Sequence, residues 1–94
     1  MATIDFAPEV AGDFERILDH LVRHHADEGE ARIEDIIDAL EVLRHSPLIG
    51  RPVDQRLREL VMGRGRRGYV ALYAFDAVND VVRVLRVWHQ REDR

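Results

Sequence analysis

The residues with the most chemical potential lie near position 90, where His89 follows Trp88 and precedes Arg91 by two positions. An imidazole can act as acid or base near neutrality, and a neighbouring guanidinium can balance charge developing on a phosphate. A histidine at the rim of a hydrophobic core has the same local sequence, so both readings stay open. His20 and His24, four residues apart, could present two imidazoles to one metal ion. Leu21, however, occupies the position at which a helical zinc protease carries its general-base Glu, and no third ligand is indicated. Helix capping or solvation accounts for this pair more simply. Ser46 is the only Ser and there is no Cys, which leaves acyl-enzyme chemistry without a well-placed nucleophile.

A second kind of chemistry is anion recognition. All fourteen basic residues are Arg, whose planar forks suit carboxylate or phosphate, although GC-rich coding would give the same bias. Charge is divided along the chain: residues 1–48 carry four Arg against twelve Asp and Glu, residues 49–94 ten Arg against six. Such a split suggests nucleic acid or an acidic partner, or else an acidic helix layer with no special role. Arg56, Arg58, Arg64, Arg66, Arg67, Arg86 and Arg91 could converge on one basic surface, or be solvated counterweights to the acidic half. Gly63-Arg-Gly-Arg-Arg-Gly lies in no strand-to-helix context and is not a phosphate loop of a known kind.

These residues need elements to position them. Thr3-Ile-Asp-Phe alternates and stops before Pro8, which predicts a first strand. Val10, Phe14, Ile17, Leu18, Leu21 and Val22 form one helical stripe, with Pro8 in the first turn. Glu9 and Asp13 complement the positive end of that helix, and Arg23, His24 and His25 its negative end. Gly29 breaks the stripe, and Ile33, Ile36, Ile37, Leu40 and Leu43 predict a second helix that folds back on the first as a hairpin. Val42 lies off this stripe. Ser46-Pro-Leu-Ile-Gly-Arg-Pro-Val stops the helix and predicts an ordered crossover.

The segments 57–62, 69–75 and 81–88 are rich in β-branched and aromatic residues and separated by turn formers, which predicts an antiparallel meander. The order is β-α-α-β-β-β, an α+β fold in which a helical hairpin covers one face of a four-stranded sheet across residues 1–94 as a single domain. Regular alternation in the last strand would group Val82, Val84, Arg86 and Trp88 on one face and Val81, Arg83, Leu85, Val87 and His89 on the other. Tyr69 and Tyr73 share a face and suit core aromatics with hydroxyls at the rim. The absence of Cys and of any long apolar run or leader pattern points to the cytoplasm and away from membranes.

The pattern resembles the RelE/ParE superfamily of type II toxin-antitoxin toxins, also called plasmid stabilisation proteins. Phe6-Ala-Pro-Glu with Asp13, Pro47-Leu-Ile-Gly-Arg-Pro, Leu57-Arg58-Glu59-Leu60, Tyr69-Val-Ala-Leu-Tyr73 and Val84-Leu-Arg86-Val-Trp-His89-Gln-Arg91-Glu-Asp93 carry the resemblance, in this order and over nearly the whole chain. It implies a toxin that needs no cofactor or metal and pairs with a ParD-like antitoxin, whose C-terminal segment folds on the toxin to give a hetero-oligomer. Within the superfamily, ParE-like members bind and inhibit DNA gyrase, whereas RelE-like members cut messenger RNA on the ribosome. RelE-like enzymes often carry Arg after the first Tyr of Tyr-x-x-x-Tyr, where this chain has Val70, and commonly end in an additional aromatic. The Arg86-to-Arg91 run looks like the end of ParE-like chains. The resemblance therefore implies a gyrase inhibitor, with Arg58, Tyr69, Tyr73, Arg86, Trp88, His89 and Arg91 as target-binding candidates. The alternative is a ribonuclease in which Arg58, His89 and Arg91 activate the 2′-hydroxyl, stabilise the phosphorane and protonate the leaving group. A non-toxic basic-sheet binding module is the third reading.

Overall fold

The computed structural model describes residues 1–23, 29–63 and 68–91. His24, His25, Arg64, Arg66, Arg67, Glu92 and Asp93, invoked above, lie outside the described residues. The elements run β1 (Thr3–Phe6), α1 (Pro8–Arg23), α2 (Gly29–Leu40), a 3₁₀ turn (Glu41–Arg44), β2 (Arg51–Pro52), β3 (Leu57–Met62), β4 (Tyr69–Asp76) and β5 (Val81–His89). No described helix is long and apolar enough to cross a membrane.

The sheet has five strands, in the order β1-β5-β4-β3-β2, where the sequence predicts four. The additional strand is β2, two residues of the crossover that pair antiparallel with Glu59 and Arg58. A strand that short has no periodicity to read, and Pro52 argues against one; Pro is tolerated here because β2 is an edge. The β2–β3 connection is closed by the Asp54 carboxylate, which accepts the Arg56 and Leu57 N–H groups. The β4–β5 turn is closed the same way, with Asp76 accepting from Val78 and Asn79 and Asp80 taking a left-handed φ of 55°.

Val10, Ile17 and Leu21 of α1 and Ile36 and Leu40 of α2 are buried against Tyr69, Ala71 and Tyr73 of β4 and Val82, Val84 and Val87 of β5. Helical spacing on one side and two-residue spacing on the other thus meet in one core. Asp13, predicted as an end-charge residue, is instead buried with the core stripe. The second helix tightens into the 3₁₀ turn at Glu41, so Leu43 is fully buried from that turn while Val42 stays 40% exposed.

Candidate target-binding site

Strand register fixes which candidates can meet. Tyr73 of β4 pairs with Arg58 on one side and Val84 on the other, whereas Tyr69 pairs with Met62 and His89. Arg58 and His89 are therefore held in rows four β4 residues apart, roughly 13 Å along the sheet.

At the Arg58 end the contacts are structural. Arg58 Nη1 donates to the Leu48 carbonyl at 3.0 Å and to the Gly50 carbonyl at 2.8 Å, pinning the crossover to the sheet. Beside it, the Gly50 N–H donates to the Tyr73 hydroxyl at 2.8 Å, and Tyr73 is fully buried. Burial raises the Tyr73 hydroxyl above its ordinary pKa, against the opposing pull of the Gly50 N–H and the Arg58 charge, so the phenol is neutral. A Cβ on Gly50 would lie 2.6 Å from the Tyr73 hydroxyl and 2.8 Å from the Glu59 carbonyl oxygen, which explains the glycine. An open groove of about 920 Å³, lined by Arg56, Arg58, Asp76, Asn79 and Arg83 among others, lies at this end of the sheet, away from His89.

The other end carries the Trp88–Arg91 segment. The Tyr69 and His89 rings meet edge to face, with centroids 5.1 Å apart and planes at 89°. His89 Nδ1 accepts the Arg91 backbone N–H at 3.1 Å. His89 is half-buried, Arg91 exposed, and Trp88 only 6% exposed, opposite Val70 on the face away from the helices. Tyr69, 4% exposed, supports His89 from the core.

Between the two ends, β5 departs from regular alternation. Tyr73 pairs with Val84 and Leu72 with Arg86, so Leu85 is an extra residue, a β-bulge. The face grouping predicted for this strand consequently fails after Val84: Val87 and His89 join Val82 and Val84 on the core side, and Trp88 turns to the open side. Arg86 stands opposite Leu72 on the open side, and its guanidinium reaches α1. Its Nε and Nη2 donate to the two Asp13 carboxylate oxygens, both at 2.9 Å, and Arg16 Nη1 adds a third bond at 2.8 Å. The Val87 N–H donates to Asp13 Oδ2 at 2.9 Å. Burial pushes the Asp13 carboxyl upward, but the hydrogen bonds from Arg86, Arg16 and Val87 outweigh it and hold the pKa at about 2.

The basic residues do not converge on one surface among the described residues. Arg83 pairs with Asp5 at 3.0 Å, Arg51 with Glu59 at 2.6 Å and Arg86 with Asp13, while Arg56 and Arg58 lie at the groove end and Arg91 at the other. Strand register separates Arg56 and Arg58 from Arg91, and pairing with Asp13, 73 residues away, engages Arg86; a count of Arg shows neither. No group of three His, Cys, Asp or Glu among the described residues could hold a metal ion. Asp13, Arg16, Gly50 and Glu59 are the participants that the sequence did not single out for these roles. Only the helix-stripe position of Asp13, three residues from Val10 and four from Ile17, signals its burial.

With the geometry in place, comparison with known proteins is specific. The family model described as ParE toxin of type II toxin-antitoxin system, parDE, matches residues 4–94. Among solved structures, the chromosomal ParDE TA system from P. aeruginosa is similar, with a TM-score of 0.76 and 19% identity over 95% of this chain and 96% of that one. The toxin-antitoxin complex RelBE2 from Mycobacterium tuberculosis is similar at a TM-score of 0.57 and 22% identity, covering 95% and 98% of the two chains. No curated protein matches. The fold is that of RelE/ParE superfamily toxins. The chain belongs to the ParE toxin family of type II toxin-antitoxin systems.

Proposed function

We propose that this toxin acts in the cytoplasm as a binding inhibitor of DNA gyrase, not as an enzyme, and that a ParD-like antitoxin neutralises it in a hetero-oligomer. The target-facing element is the end of β5, with Arg86, His89 and Arg91 outermost, Trp88 and Tyr69 bracing them, and Arg58 and Tyr73 holding the scaffold. The observation that carries the choice of inhibitor over ribonuclease is the separation of Arg58 from His89. A phosphorane-stabilising group must sit within hydrogen-bond reach of the same phosphate as the acid and base. Arg58 instead spends its Nη1 on two crossover carbonyls, in a row roughly 13 Å from that of His89. Val70, where RelE-like enzymes often carry Arg, is buried opposite Trp88. The antitoxin is supported by similarity to a ParDE system and to a RelBE2 complex.

Parallel assays of gyrase supercoiling in vitro and of message integrity on translating ribosomes test this function. Supercoiling is expected to be blocked with messages intact. Codon-spaced cleavage with normal supercoiling would replace the inhibitor by a ribonuclease and make His89 its acid–base candidate.

A further inference from the structure

Among the described residues, the outer edge of β5 beyond Val84 has no strand partner, because β1 stops at Phe6 and its last bond runs from the Ala7 N–H to the Val84 carbonyl. One turn of α1 takes over. Asp13 accepts the Val87 N–H at 2.9 Å and Arg16 Nη2 donates to the Val87 carbonyl at 3.2 Å, so side chains meet both backbone groups of that residue. Asp13, itself 2% exposed, also grips the Arg86 guanidinium through two bonds. All of these contacts fall immediately after the bulge at Leu85.

Their position matters because a slip of one residue sends every later side chain to the opposite face. Without the bulge, Arg86 would take the place of Val87 opposite Ala71, and Trp88 that of His89 opposite Tyr69. Burial of Val87 beside Ala71 and Val84 favours the bulged phase, and the polar contacts of Asp13 act in the same direction. The bulged phase keeps Arg86 out of the apolar position opposite Ala71 and delivers its guanidinium, and the Val87 N–H, to Asp13.

We propose that Asp13 is a positioning residue that, with Arg16, locks β5 in its bulged register and thereby sets the face on which Trp88 lies and the direction in which Arg86 and Arg91 meet the target. The consequence for inhibition rests on the gyrase reading above; the register claim stands independently of it.

The test uses the full chain with Asp13→Asn and, separately, Arg86→Gln. Asparagine keeps the size and one acceptor but turns an NH₂ group against the guanidinium groups. Arg86→Gln leaves the Asp13–Val87 bond in place. Amide hydrogen exchange at Val87, referenced to Val82 and Val84, and the Tyr69–His89 ring contact, both by NMR, report the register. In Asp13→Asn the Val87 amide is expected to exchange at least about tenfold faster and the ring contact to weaken. Unchanged protection and ring contact in a folded Asp13→Asn would overturn the proposal. If that variant does not fold, Arg86→Gln decides: loosening confined to Val87–His89 supports the lock, and no change or a uniform change along β5 overturns it. Gyrase inhibition by the folded variants is expected to weaken about tenfold. If the unaltered chain leaves gyrase untouched, the target assignment fails, and the register claim is judged on the exchange and ring-contact data.

Discussion

Asp13 accepts two hydrogen bonds from Arg86, one from Arg16 and one from the Val87 N–H. Its folded pKa of about 2 lies below the ordinary 3.8, so ionisation favours the native state by about 2 kcal/mol at neutral pH. That contribution is complete above the unfolded value and is lost as pH falls from about 4 towards 2. Urea unfolding of the wild-type chain and Asp13→Asn should therefore differ by about 2 kcal/mol at pH 7 and converge near pH 2; a constant gap would show that Asp13 acts without its charge. Tyr73 makes a second residue-scale prediction. Tyr73→Phe leaves the Gly50 N–H buried without its acceptor and should cost about 1–2 kcal/mol in thermal or denaturant unfolding. Inhibition by the folded variant should be unchanged, because the residue is fully buried. Gly50→Ala, with its Cβ pressed on the Tyr73 hydroxyl and the Glu59 backbone, should lose at least about 2 kcal/mol.

At the scale of elements, the helices and the three longer strands were legible because each carries several turns or pleats of one period: Val10, Ile17 and Leu21 on α1, Tyr69, Ala71 and Tyr73 on β4. Features that break a period were not. The bulge at Leu85 inserts one residue, so the face grouping read along β5 was right through Val84 and inverted from Val87 onward. Two-residue β2 is too short to have a period at all. The proposed target-facing segment was legible as a stretch of sequence, since Arg86, Trp88, His89 and Arg91 are close together. Its dependence on Asp13, 73 residues from Arg86, was not, because long-range ion pairs leave no local signal. The commitment of Arg58 to Leu48 and Gly50 was hidden for the same reason. Arg58→Met should loosen the crossover and lower stability by about 1–2 kcal/mol, while changing gyrase inhibition by the folded protein less than about threefold. A loss of inhibition without a loss of stability would return Arg58 to the target surface.

For the whole molecule, the acidic first half and the Arg-rich second half are knitted together by pairs such as Asp5–Arg83 and Asp13–Arg86. Among the described residues, exposed guanidinium groups remain for a partner at opposite ends of the sheet, Arg56 before β3 and Arg91 after β5. An acidic antitoxin segment reaching them would associate faster at low ionic strength, and raising salt from about 50 to 300 mM should slow association several-fold while changing dissociation little. The central claim is that the end of β5 recognises gyrase. Its most direct test is a titration of gyrase supercoiling with the unaltered chain and with Arg91→Ala, whose exposed side chain can be removed without disturbing the core. Inhibition by the unaltered chain, weakened at least about tenfold by Arg91→Ala at unchanged thermal stability, is the predicted result. Inhibition that survives Arg91→Ala intact, or no inhibition by either protein, would contradict it.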